Sequence, residues 1–380
     1  MSRRPAAAAT RDDEFPLEPD RLDGFRHPRE TEAFFGNGDA EARLLQAWNS
    51  GKLHHAWLLS GPAGLGKATL AYRFARFLLA QPGEGGGQAG SLEVDRESPA
   101  WRRIAARAHP NLLVLNRPWQ EKSKKFASVI TVDEVRRLRV FLGQTAGEGR
   151  WRCVIVDKAD ELNRAAVNAL LKSLEEPPPY CVFLLVCEAP GRLPPTVRSR
   201  CQVLRLGPLG ADDLHAAVKA ALESAGKPAA DPQRLEACMR LAGGSPGRTL
   251  MLLEQGGDAL HGDIARLVSS APHLDYAAVH KLADRLTASG ADGSYELFFS
   301  LLEDFLASVI RTGSTGAAAG GPEAALAARL TAPGGLAKWA ELWETVARMK
   351  AEADVLNLDR KNLILGTFFR VEETARASGL

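Results

Sequence analysis

A chain of 380 residues with 45% hydrophobic and 25% charged residues can bury two or three cores and reads as a globular protein of more than one domain. Its formal charge of +2 at pH 7 excludes the polyelectrolyte field of a protein that wraps nucleic acid, so any such contact must be local or shared with partners. Cys153, Cys181, Cys187, Cys201 and Cys238 form no C-x-x-C pair and no His/Cys cluster of ligand spacing, which points to a reducing cytoplasm and away from structural zinc.

The N-terminus, "MSRRPAAAATRDDEFPLEPD", mixes acids with bases and lacks an apolar core. It reads as a disordered tail over residues 1–25, not as a targeting signal, and no run in the chain approaches membrane-spanning length. Five short apolar runs follow at 56–60, 111–115, 153–157, 181–187 and 203–206, separated by segments of helical period. That alternation predicts a mostly parallel sheet with helices on both faces. Within it, "QPGEGGGQAGS" (81–91) is too rich in glycine to pack and reads as a mobile insert. "TVDEV" (131–135) opens a helix for which Thr131 is the expected cap, with Glu134 reaching back. Beyond Pro208 strand signals stop. Two helical segments, "DDLHAAVKAALESAG" and "PQRLEACMRLAGG", precede the breaker "QGGD" (255–258), and residues 264–375 read as alanine- and leucine-rich helix with interruptions such as "GSTGAAAGG".

The stretch "SGPAGLGKATL" (60–70) follows the first strand and opens a helix. Gly61, Gly64, Gly66 and Lys67 are spaced as in a phosphate-binding loop: glycines let backbone N–H groups turn inward, the helix N-terminus adds positive potential, and the lysine supplies a point charge. Ala68 stands where such a loop places the hydroxyl that ligates magnesium. Thr69 is no substitute, because one residue further along a helix is turned by about 100°. Asp157 closes the strand "CVIVD" and is the acid expected to hold magnesium through water, yet the next residue, where a general base belongs, is Lys158. Lack of a positioned base costs on the order of 10²–10⁴ in rate. Lys158 is either a surface lysine at a strand end or a cation that pairs with Asp157 in place of the metal.

From Asp157 the chain reads "DKADELNRAAVNALLKSLEEPPPYCVFLLVCEAPGRLPPTVRSRC". With the phosphate loop, with "LHHAWLLSGP" (53–62) and with "GGSPGR" (243–248), this resembles the AAA+ subunits of the bacterial DNA polymerase III clamp loader, and among them the delta-prime type. The resemblance covers residues 34–248 and touches the C-terminal helices only at "LNLDRKNLI" (356–364). It implies an α/β AAA+ P-loop domain over 26–206, a small helical lid over 207–268 and an all-α collar over 269–380 that joins subunits in a ring. The implied partners are the gamma/tau and delta subunits of a hetero-pentamer, the sliding clamp, and primed DNA reached through the assembled ring; the implied location is cytoplasmic.

Against that family the nucleotide site departs at several positions. Residues 80–110 contain no cysteine, so the zinc module of many relatives is not expected. Cys187 and Glu188 stand where a small polar sensor of the γ-phosphate belongs, and a carboxylate there repels a triphosphate unless protonated or turned away. Arg248 falls one residue later than a sensing "GS-x-R" pattern would place it. ATP or ADP can still be held by the loop's backbone, without turnover and with little dependence on magnesium. By contrast "PPTVRSRC" (194–201) is intact: the double proline keeps it out of the sheet, Thr196 is the expected cap of a short helical turn, and Arg200 is projected from the domain edge, where the resemblance makes it an arginine finger for a neighbouring subunit's γ-phosphate. Asn168, Leu171 and Lys172 share one helix surface, open equally to an interface and to solvent, and Arg136 and Arg137 read as a solvated helix face before they read as a DNA contact. The preferred reading is a non-hydrolysing loader subunit. Its rivals are an active AAA+ ATPase of the same or a related ring, and a small-molecule kinase for which no acceptor site is visible.

Overall fold

The computed structural model describes residues 18–378 except 20, 82–87, 124, 144–150, 291, 316–328, 330–334 and 357. Five strands form one all-parallel sheet: β1 (Ala56–Ser60), β2 (Leu112–Leu115), β5 (Arg152–Val156), β6 (Cys181–Cys187) and β7 (Gln202–Arg205), in the order β2-β5-β6-β1-β7. Each falls within one residue of its predicted run at either end. The register sets Leu58 against Leu185 on one side of β1 and against Val203 on the other. All seven residues of β6 are buried, which is why its sequence is continuously apolar and does not alternate. A two-residue hairpin, β3 (Trp119–Gln120) with β4 (Lys125–Phe126), has no counterpart in the sequence reading; Trp119 and Phe126 meet edge to face at 5.0 Å.

Helices cover this sheet: α1 (Gly38–Asn49), α2 (Lys67–Ala80), α3 (Pro99–Ala105), α4 (Val132–Gly143) and α5 (Arg164–Glu175), with the single turn α6 (Pro195–Arg198) before β7. Leu170 and Leu174 of α5 and Val135 and Leu138 of α4 pack in one buried cluster with Val154, Phe183 and Leu185 of the sheet. The Asn163 side chain caps α5 by accepting the Ala166 N–H at 2.8 Å. Glu134 pairs with Arg137, and Arg136 with Asp133, each within α4.

The described chain divides into two compact units, residues 1–230 with 242–250, and residues 231–241 with 251–380. The segment 207–268 is thus shared between them. In the first unit, α7 (Ala211–Ser224) follows β7. The tail expected over residues 1–25 is already packed at its end: Phe25 is buried and carries the Lys227 ammonium 5.0 Å above its ring. Residues 1–17 lie outside the described residues, as do 82–87 of the expected insert; Ala89, just beyond, exchanges two hydrogen bonds with the Asn49 side chain.

Two helices, α8 (Pro232–Ala242) and α9 (Pro246–Gln255), hold residues of both units. The second unit continues through α10 (Gly257–Ser270), α11 (Tyr276–Leu286), α12 (Asp292–Thr315), α13 (Leu336–Leu356) and α14 (Arg360–Ala377). Trp339, Phe298 and Phe368 form its centre at no measurable exposure. Lys350 is buried there because Glu296 and Asp354 accept hydrogen bonds from its ammonium and the Tyr295 ring lies 5.1 Å from its nitrogen. No helix among the described residues is long and apolar enough to cross a membrane.

Candidate functional site

The strand order brings the carboxyl ends of β1, β5 and β6 side by side, and ligands of open α/β sheets sit at such ends. Here β1 delivers Gly61, β5 delivers Asp157 and β6 ends in Cys187. Gly61 is confined to glycine because a side chain would meet the Leu206 carbonyl oxygen at 2.3 Å. Gly66, at φ +81°, turns the chain into α2. Lys67 is 4% exposed, and its ammonium donates to the carbonyls of Gly61 (2.8 Å) and Pro62 (2.6 Å). Burial lowers its pKa from the usual lysine range, opposed by the charges of Glu188, Asp157 and Asp160. The nearby carboxylates favour its charged form, but burial outweighs them.

A cavity of about 860 Å³ opens over this loop, walled by Gly64–Thr69, Asp157 and Lys158, Glu188, α7, and the N-terminal segment from Leu22 to Phe34. Ala68 and Thr69 both reach it. Asp157 is buried, its N–H bonded to the Leu115 carbonyl at 2.9 Å. Lys158 adopts φ +56° and places its ammonium 3.8 Å from Glu161. Asp160, which the sequence reading passed over, accepts the N–H groups of Glu188 (3.1 Å) and Ala189 (3.0 Å). Burial, with the Asp160 charge beside it, pushes the Cys187 thiol up to about 12, so it is a neutral side chain and no nucleophile. The signal of Asp160 in the sequence is an acid three residues after the strand-ending Asp157, a spacing that reads as an ordinary surface turn.

The N-terminal wall is set by His27. Its Nδ1 accepts the Arg29 N–H at 3.1 Å, which places the ring proton on Nε2. Burial first, then the charges of Arg29, Arg107 and Arg21, lower its pKa to about 3. Glu18 pairs with Arg29 in the same cluster.

The segment 243–248 meets the loop directly. Ser245 Oγ donates to the Ala63 carbonyl at 2.9 Å, and the Gly247 N–H donates to the Gly64 carbonyl at 2.9 Å. The two glycines touch: a side chain on Gly247 would meet Gly64 Cα at 2.8 Å, and one on Gly64 would meet Ser245 Oγ at 2.5 Å. The Arg248 N–H bonds to Ser245 Oγ at 3.2 Å. What "GSPGR" supplies here is a glycine-on-glycine approach and a serine clasp.

Arg200 lies apart from this cavity. Thr196 does not cap α6; Pro194 holds the cap position with no side-chain bond, because the turn begins at Pro195 and the threonine is already inside it. The Thr196 carbonyl instead accepts from Arg200 Nη1 at 2.9 Å, while Arg200 Nη2 pairs with Glu175 at 2.8 Å. Asn168 and Lys172 are exposed on α5.

The arrangement fits a nucleotide's phosphates but not a magnesium ion bound in the usual way. The loop presents its glycine-rich backbone, α2 begins at Lys67, and the lysine is buried in reach of the cavity; residue 68 has only a methyl group, which leaves Asp157 as the remaining metal-side acid.

Residues 36–210 match the family model described as DNA polymerase III, delta subunit. The DNA polymerase III subunit delta' of Pseudomonas aeruginosa is 40% identical over 202 residues, covering 53% of this chain and 56% of that protein. Subunit delta' of Escherichia coli is 34% identical over 212 residues, 56% of this chain and 58% of that one. Subunit gamma of Buchnera aphidicola is 31% identical over 211 residues, 56% and 54% respectively. The chain spans a little over half the length of these curated relatives.

Proposed function

We propose that this chain, whose residues 36–210 match the DNA polymerase III delta-subunit family model and are similar to delta' subunits, works in a loader as a non-hydrolysing member that completes a neighbour's ATP site. Its partners in this reading are gamma/tau and delta subunits, the sliding clamp, and primed DNA reached through the assembled ring. The observation that carries it is the pairing of an intact phosphate-loop backbone with Ala68 and Lys158 at the two positions where metal binding and water activation need a hydroxyl and a carboxylate. ATP or ADP would be held by the backbone N–H groups of residues 64–67 and by Lys67, and would persist unhydrolysed. Arg200, just past α6 and away from the chain's own cavity, is the group offered in trans: a planar fork suited to the γ-phosphate of an adjacent subunit.

A second reading, an ATPase of the gamma/tau type, is favoured by the 31% identity to a gamma subunit. The test is a loader reconstituted with Arg200→Ala. Folding, assembly and the chain's own nucleotide binding are expected to stay normal, while hydrolysis at the adjacent site falls; a finger arginine is worth roughly 10³–10⁵ in a GTPase, an upper bound for a ring with several sites. Arg200→Lys restores part of the rate, and Arg198→Ala leaves it near normal. Unchanged clamp- and DNA-stimulated hydrolysis with Arg200→Ala removes the role in trans.

A further inference from the structure

Arg200 is already engaged within its own chain. Helix α5 stops at Glu175 because prolines occupy 177–179, and Glu176, the residue before them, leaves the helical region at φ −123°, ψ 71°. Two carboxylates are thereby stranded at a helix C-terminus, the end where negative charge is least favourable. The nearest remedy is the cation across from them: Arg200 Nη2 lies 2.8 Å from Glu175 Oε1. Its other terminal nitrogen, Nη1, is bound to the Thr196 carbonyl at 2.9 Å. The guanidinium is held at two of its corners and faces a carboxylate, an anionic pair of acceptor oxygens such as a phosphate also offers. Both side chains stay open to water, at 35% and 48% exposure, so the pair is of the weak, displaceable class.

We propose that Glu175 is a positioning residue for Arg200: an intramolecular carboxylate that holds the guanidinium extended along the domain edge and yields it to an incoming phosphate. This rests on the reading of Arg200 as a group given in trans, but the pairing is testable without it. The phosphate wins the exchange because it carries more charge than a single carboxylate, while the Thr196 contact, made to backbone, can persist through it. Glu176, though adjacent, does not share the role, since its backbone has already left the helix.

The first arm treats the full-length isolated chain with phenylglyoxal, an arginine-selective reagent, and reads modification at Arg200 against Arg198 by peptide mass spectrometry. Glu175→Gln is expected to raise the Arg200-to-Arg198 ratio by roughly 1.5- to 5-fold, the range that corresponds to an exposed ion pair, and Glu175→Asp to give an intermediate value. An unchanged ratio overturns the proposal. Because Glu175 is exposed, the variant should fold normally, and an unaltered melting temperature accompanies the expected result. In the second arm the reconstituted loader carries Glu175→Gln alone and together with Arg200→Ala. The single variant is expected to hydrolyse ATP faster than the wild type at low ATP by the same factor, with no further change when Arg200 is absent. A slower rate with Arg200 present contradicts the displacement step. Failure of Arg200→Ala to alter hydrolysis strikes the role in trans and leaves the labelling result to decide the latch.

Discussion

The phosphate loop and the α6 turn are built from opposite materials. At the loop, backbone does the work: glycines at φ +74° and +81°, carbonyls that bind Lys67, and a lid glycine seated on Gly64. The side chains that would add chemistry, at 68 and 158, are a methyl group and an ammonium. At α6 the reverse holds: the backbone is one turn between a proline pair and β7, and the useful group is a side chain, Arg200, held by a carboxylate and a carbonyl. Backbone geometry of this kind survives the replacement of any side chain that does not clash, whereas an arginine's contribution disappears with the arginine. In the proposed reading, one region stays folded and able to bind without chemistry of its own, while the other offers a group that the fold does not need.

That contrast predicts a ranking of effects. The largest at neutral pH is expected where Gly247 meets the phosphate loop: Gly247→Ala forces a methyl group against backbone atoms of Gly64 at 2.8 and 3.2 Å, and overpacking against atoms that cannot swing aside costs about 1–3 kcal/mol, read as a shifted denaturation midpoint. If the variant is as stable as the wild type, the clasp is not tight. Next comes acid sensitivity from His27. Its folded pKa of about 3 lies below the 6.5 of a free histidine, so the unfolded chain binds a proton that the folded chain refuses. Stability is therefore full above pH 6.5 and falls as the pH drops from there toward 3, by at most about 1.4 kcal/mol per pH unit for this one group. His27→Asn should flatten the slope of unfolding free energy between pH 6 and 4 by one proton, and an unchanged slope would exclude His27 as its source.

A smaller loss, about 1 kcal/mol, is expected for Ser245→Ala, which removes one hydrogen bond to Ala63 and one to Arg248 N–H. The smallest is Arg200→Ala, within about 0.5 kcal/mol of wild type in stability. Measured side by side, a methyl at Gly247 should cost more folding energy than the whole guanidinium of Arg200. If the order inverts, the division into a structural loop and a functional edge is wrong.

The parts legible in the sequence were those written in several residues at once. The central strands β1, β5 and β6 are buried along nearly their whole length, so each shows as an apolar run, and the phosphate loop announces itself through glycine spacing, lysine and the elements that flank it. What escaped depends on single residues or on partners far along the chain. Asp160 reads as a surface acid until the fold brings residues 188 and 189 over it. "GSPGR" places Arg248 one residue late for a sensing pattern, and its glycine and serine meet residues 63 and 64, a meeting that no local pattern encodes. The misplaced cap at Thr196 has a local cause: with prolines at 194 and 195 the turn starts two residues sooner than a threonine cap requires. The partnership of Arg200 with Glu175, 25 residues earlier, was invisible because each belongs to a motif that reads complete without the other.

The central claim is that the chain's own site binds without turning over. Its direct measurement is ATP hydrolysis by the purified full-length chain, with and without magnesium, beside Lys67→Ala. The account predicts no magnesium-dependent hydrolysis above the Lys67→Ala background, together with any nucleotide binding little changed when the metal is removed. Saturable hydrolysis that requires magnesium and vanishes in Lys67→Ala would contradict it and make this chain an ATPase in its own right.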